Sequence, residues 1–160
     1  MKILTTMAAA LLIAGTASAQ VKTVTDADKV GVYTSAQEIS AAVAKLPKNP
    51  LAAVPVFKIG QFNVNVEHRL GMPAAAQQAS VHSTDAELFY MLDGTATLVT
   101  GGELIEPTGS AAEPRGKGIK GGKEQKMSKG DFMLVPAGVP HWFTDIQGNI
   151  TEFSLHLKVK

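Results

Sequence analysis

Two short stretches of this chain carry side chains that can hold a metal ion. The first runs His82-Ser83-Thr84-Asp85-Ala86-Glu87 and reaches Gly94 after six more residues. The second starts at Gly130 and, after five residues, reads Pro136-Ala137-Gly138-Val139-Pro140-His141. Two imidazoles and one carboxylate are the smallest common donor set for a mononuclear site with open coordination positions. Such a set takes one divalent transition metal, and iron, manganese, zinc, nickel and copper all suit imidazole and carboxylate donors. Other chemistries have no comparable support. The chain has no cysteine, no G-x-S-x-G elbow, and no phosphate loop or dinucleotide fingerprint.

Rigid elements must bring these side chains together, and the hydropathy pattern supplies them. From Leu51 onward apolar and polar residues alternate, the period of a half-buried strand. The alternation and the turn residues between segments predict strands over 62–69, 78–82, 87–92, 95–100, 132–135, 142–146 and 150–159, with Asp93-Gly94 a strong tight-turn signal. Many short strands with no helix between them argue an antiparallel sandwich or barrel. Strand parity then sorts the side chains, since alternate residues face the same way. Gln78, Ser80 and His82 share one face, Glu87 shares a face with Phe89 and Met91, and His141 with Phe143. Gln78, Ser80, Phe89, Met91 and Phe143 are therefore the expected walls of a pocket around the donors. His68 continues the face of Val64 and Val66 and is expected inward, as a fourth ligand or as a hydrogen-bonded core histidine. His156 has the parity of Glu152 and Ser154, opposite Phe153, Leu155 and Leu157, and is expected at the surface. Asp145 is either a group that orients a ligand histidine or a surface turn residue.

Ahead of the strands, Ser35 and Glu38 form a capping box, and Ile39, Val43 and Leu46 lie on one helical face that Pro47 ends. Residues 21–33 are polar and expected to be irregular. Residues 107–126 hold five glycines, two prolines and many lysines without periodicity, so they are expected to form a mobile loop inserted between strands. That loop is either a solvated connection or a basic lid for an anionic substrate.

The two stretches resemble the signature motifs of the cupin superfamily. Gly130, Pro136, Gly138 and His141 match the second cupin motif, with Asp145 in place of its final Asn. His82, Glu87 and Gly94 match the first motif from its second histidine onward, while Ser80 stands where the first histidine belongs and Ala74 where a glycine is expected. The resemblance spans roughly residues 61–160. It implies an all-β fold, a single jelly-roll barrel preceded by the short helix. It also implies a metal held by His82, Glu87 and His141, a set that resembles the two-histidine, one-carboxylate triad of non-haem iron oxygenases. Dioxygenase-like chemistry on a small molecule is the first functional expectation, with lyase or isomerase chemistry also compatible. A non-catalytic small-ligand binder is the second.

The chain ends bear on where this happens. Met1-Lys2, an apolar run to Ala14 and Ala17-Ser18-Ala19 have the form of a secretion signal cleaved after Ala19. The expected organisation is a signal over 1–19, an N-terminal segment with the helix over 20–50 and the barrel over 51–160. The apolar run is too short for the roughly 20 residues of a membrane span. Removing the signal takes Lys2 from the 15 basic residues and leaves 14 against 14 acidic ones. A neutral exported chain gives no reason to expect nucleic acid as a partner. Without disulfides it must rely on its core, or in part on metal. The apolar stretch 51–59 needs a cover for its strand edge, which a second copy of the chain would provide.

Overall fold

The computed structural model describes residues 21–25, 27–46, 51–60 and 62–159. The expected secretion signal and Pro47 lie outside the described residues. The capping box forms as expected. The Ser35 hydroxyl accepts from the Glu38 N–H, and the Glu38 carboxylate accepts from the Ser35 N–H. Helix α1 spans Ala36–Val43 and ends in i→i+3 bonds from Lys45 and Leu46.

Almost everything else is strand. In chain order these are β1 (Lys22–Val24), β2 (Leu51–Ile59), β3 (Phe62–Leu70), β4 (Ala79–Ser80), β5 (Asp85–Asp93), β6 (Thr95–Thr100) and β7 (Glu103–Ile105). Then come β8 (Thr108–Gly109), β9 (Pro114–Gly116), β10 (Gly118–Lys120), β11 (Lys123–Ser128), β12 (Phe132–Val135), β13 (His141–Thr144) and β14 (Asn149–Lys158). One sheet has the order β1-β2-β3-β14-β5-β12, the other β11-β6-β13-β4-β9-β8, and β10 pairs with β7 in a separate ribbon. The two sheets form a jelly-roll sandwich, the expected fold.

Two expectations about irregular segments are corrected. Residues 22–24 pair in parallel with residues 57–59, so the chain's own β1 covers part of the β2 edge. Residues 107–126 are not a mobile loop. They hold β8, β9, β10 and most of β11, and β11 pairs with the whole length of β6. The glycines that disguise this segment make close approach possible. A Cβ on Gly118 would meet the Trp142 ring at 3.1 Å, and Ile119 beside it packs with Ala79 and Val99. The β7–β10 ribbon thereby covers the outer face of the second sheet.

Between the sheets lies the main core, with Phe89, Met91, Ala96, Leu98, Met127, Phe143 and Ile150 among its buried members. Strand register shows which side of the first sheet faces it. Glu87, Phe89 and Met91 of β5 stand opposite His156, Ser154 and Glu152 of β14, and Glu152 stands opposite Glu67 of β3. The polar residues of β14 and β3 therefore line the interior. Val66 stands opposite Phe153 and Val54, and His68 opposite Thr151 and Ala52, all on the outer face.

The amides of β11 are expected to be protected from hydrogen exchange to a degree comparable with those of β6. Exchange of Lys123–Ser128 at the rate of unstructured chain would contradict this pairing.

Candidate metal centre

Three elements deliver the donors. Glu87 sits on β5 and His141 begins β13, while His82 lies in the link between β4 and β5. That link is held on both sides. The Val81 and Ser83 N–H groups donate to the Pro114 and Ala112 carbonyls at 2.9 and 3.0 Å. The His82 carbonyl accepts from the Gly138 N–H at 2.8 Å, which stitches the two motifs together. Gly138 has φ +82°, a left-handed turn that favours glycine, and the chain then leads through Pro140 into His141.

Glu87 is the centre of the cluster. Its Oε2 lies 3.3 Å from His82 Nε2 and 3.2 Å from His141 Nε2. Its Oε1 accepts from Ser154 Oγ at 2.7 Å and lies 3.1 Å from His156 Nε2. Burial pushes the Glu87 carboxyl up, but the close imidazoles of His141, His156 and His82 outweigh it and hold the group well below the usual carboxylate range. Burial likewise opposes charge on His82, yet Glu87 and Glu113 raise its imidazole to about 9. His156 is raised as well, first by its bond to Glu87.

These residues fit a divalent metal. One donor atom from each of His82, Glu87 and His141 lies within 4.8 Å of the others. Glu87 Oε2 and His141 Nδ1 are buried without a hydrogen-bond partner among the described residues. Two bonds of about 2.1 Å at a right angle span roughly 3.0 Å, close to the observed oxygen-to-nitrogen separations. A buried carboxylate oxygen that faces two imidazole nitrogens and bonds to nothing is the arrangement a cation would complete.

Around the donors the chain is strongly polar. His82 Nδ1 meets Glu113 Oε2 at 2.8 Å, the carboxylate–histidine pairing that orients metal ligands. Arg115 Nη1 donates to Ser80 Oγ at 2.7 Å, and its Nη2 lies 3.5 Å from Glu113. Deeper in, Arg69 is paired with Glu152 and, at 2.7 Å, with Glu67, and it lies 4.5 Å over the Phe143 ring. Burial raises Glu152 to about 7 against the pull of Arg69.

His82, Glu87 and His141 come together as expected. Ser80, Gln78 and Phe143 line the cavity beside them, whereas Phe89 and Met91 are core beneath it. His68 is corrected. It faces outward, and its Nδ1 is 3.0 Å from Thr151 Oγ1. His156 is corrected in the opposite sense, from surface to pocket. Both errors come from reading the apolar side of a strand as the inner side. Asp145 is a turn residue at φ +46°, accepting from Gln147 Nε2. Glu113 and Arg115 were missed because they lie in the glycine-rich segment, and the sequence holds no periodic signal for them.

A family model described as Cupin matches residues 56–155. No curated protein matches the chain. Among solved structures, FeII HppE superimposes with TM-score 0.53 at 15% identity, over 71% of this chain and 57% of that one. Fe(II)-HppE with the alternative substrate (S)-1-HPP gives TM-score 0.52 at 15% identity, over 67% of this chain and 49% of that one. The chain thus spans about half the length of that relative. The TT1209 protein from Thermus thermophilus gives TM-score 0.50 at 19% identity, over 74% of this chain and 95% of that one. At these identities the likeness is one of fold.

Metal binding should be proton-linked. Metals take neutral imidazole, and His82 in the metal-free protein stays protonated to about pH 9. Zinc affinity, measured by calorimetry from pH 6 to 8.5, should rise with pH, with proton release on binding. Glu113→Gln should weaken zinc binding about 10-fold or more. A flat pH profile, or an unchanged Glu113→Gln variant, would contradict these roles.

Proposed function

This chain belongs to the cupin family, and from that premise we propose that it is an exported, metal-dependent enzyme acting on small oxygen-rich molecules, dioxygenase-like in its chemistry. One observation carries the reading. The facing donors of His82, Glu87 and His141 border a cavity of about 480 Å³, large enough for a small molecule. Iron is the metal we assign first, because two histidines and one carboxylate with open positions suit non-haem iron. When bound, the metal would polarise a substrate oxygen as a Lewis acid and, as iron, give access to dioxygen chemistry.

The chain's own side chains divide the remaining work. Glu113 holds the His82 ring through Nδ1, so that Nε2 is directed at the cavity. Arg115 spends one N–H on Ser80 and lies near Glu113, and its planar fork has further donors for a carboxylate or another oxygen-rich group. Arg69 is already taken up by Glu67 and Glu152 and serves as a charged wall rather than a substrate clamp. Phe143 gives a flat apolar side, while Trp142, packed under the β7–β10 ribbon, donates its Nε1–H to the Gln77 carbonyl at 2.6 Å. Export rests on the form of residues 1–19. No described helix is long and apolar enough to cross a membrane.

Oxygen uptake by iron-loaded protein over a panel of small phenols, diketones and hydroxy acids tests the proposal. Uptake with at least one class is expected, and His141→Ala should abolish it. With an acidic substrate, Arg115→Gln should raise KM about 10- to 100-fold with little change in kcat, the cost of one lost charge-assisted hydrogen bond. Metal-dependent ligand binding without turnover would instead mark a binding protein. N-terminal sequencing of exported protein should begin at Gln20, and an intact Met1 would refute export by cleavage.

A further inference from the structure

We infer that His156 and Ser154 clamp one oxygen of Glu87 so that the other alone is presented to the metal, and that His156 is not itself a ligand. The inference rests on the metal reading above and goes beyond it, because it settles what stands in the place of the histidine replaced by Ser80.

Geometry carries it. In the β14–β5 pairing His156 stands opposite Glu87 and Ser154 opposite Phe89, so both reach the interior on the side of the carboxylate. Both address the same oxygen. Ser154 Oγ donates to Oε1 at 2.7 Å, and His156 Nε2 approaches Oε1 at 3.1 Å. Ser154 fills one lone-pair site of that oxygen with a hydrogen bond, and the His156 imidazole stands beside it at ion-pair distance. The other oxygen, Oε2, has no hydrogen bond, and it is the one that faces His82 and His141. The carboxylate is therefore asymmetric, with one oxygen hydrogen-bonded to Ser154 and the other facing two imidazoles without a hydrogen bond. His156 falls outside the group whose donors lie within 4.8 Å of one another.

The rival sources of a fourth donor are each engaged elsewhere. His68 is on the outer face with Thr151. The Ser80 hydroxyl accepts from Arg115. His156 is spent on Oε1. Three protein donors remain, so a six-coordinate metal held by them would have three further positions for water or substrate. Outer partners of this kind tune metal affinity about 10- to 100-fold when removed.

Copper(II)-loaded protein tests the clamp without any substrate. Pulsed EPR, which counts bound imidazoles through their remote nitrogens, should find two in the wild type and two in His156→Gln. His156→Leu and Ser154→Ala should weaken copper binding about 10- to 100-fold with the count still two. Glutamine retains an N–H donor, so His156→Gln should recover most of the affinity lost in His156→Leu and keep the wild-type EPR parameters, which the leucine variant should shift. Three imidazoles in the wild type, one of them lost in His156→Gln, would overturn the clamp and make His156 a ligand. Wild-type affinity in both His156→Leu and Ser154→Ala would also overturn it. Failure of the wild type to bind copper would overturn the metal reading, and the clamp with it.

Discussion

A single carboxylate sets the terms for this interior. Glu87 is 3% exposed on a wall it shares with Phe89 and Met91. An uncompensated ion in such a place costs several kcal/mol, more than most single packing interactions return. The surroundings answer that constraint with three imidazoles and a hydroxyl, drawn from the link before β5, from β13 and from β14. Their combined effect outweighs burial and keeps Glu87 ionised. In the metal-free state that compensation leaves His82 charged. A divalent cation would replace the imidazole protons, so the same cluster serves stability without metal and ligation with it.

The rest of the sandwich is arranged around keeping this polar cluster at one end. Apolar residues from both sheets, Met91, Ala96, Met127 and Ile150 among them, fill the interior away from the donors. Bordering the cavity is the Arg69–Glu152–Glu67 network, in which one guanidinium is shared by two carboxylates. The outer faces are covered by other means. The β7–β10 ribbon packs Ile119 near Trp142 over the second sheet, and α1 lies against β2 and β3 of the first. The covers matter for function as well as packing, since the same glycine-rich segment that builds the ribbon carries Glu113 to His82 and Arg115 to Ser80.

What could be read from the sequence follows from where local rules hold. The stretch from Gly130 to His141 was legible because turn chemistry is local: glycine and proline dictate backbone shape whatever the surroundings. β6 and β12 were legible because their ends are marked by glycines or by Pro136. Parity was legible on β5, where Glu87 travels with Phe89 and Met91. It failed on β3 and β14, and for one reason. There the outer face carries Val66 and Phe153, while the inner face carries Glu67, Arg69, Glu152, Ser154 and His156. An apolar stripe normally marks the interior. In a sandwich whose interior is partly a polar pocket and whose exterior is partly covered, that rule inverts, and His68 and His156 exchange roles. The segment 107–126 was illegible because its strands have two to six residues and its glycines serve close packing rather than flexibility.

The central claim is that Glu87 Oε2, His82 Nε2 and His141 Nε2 share one metal ion. Anomalous diffraction from crystals grown with iron or zinc tests it directly. A single strong peak should lie within bonding distance of those three atoms, with Glu87 Oε1 still turned toward Ser154. Crystals that show no peak there, or a peak bound elsewhere while Glu87 remains paired only with protonated histidines, would contradict it.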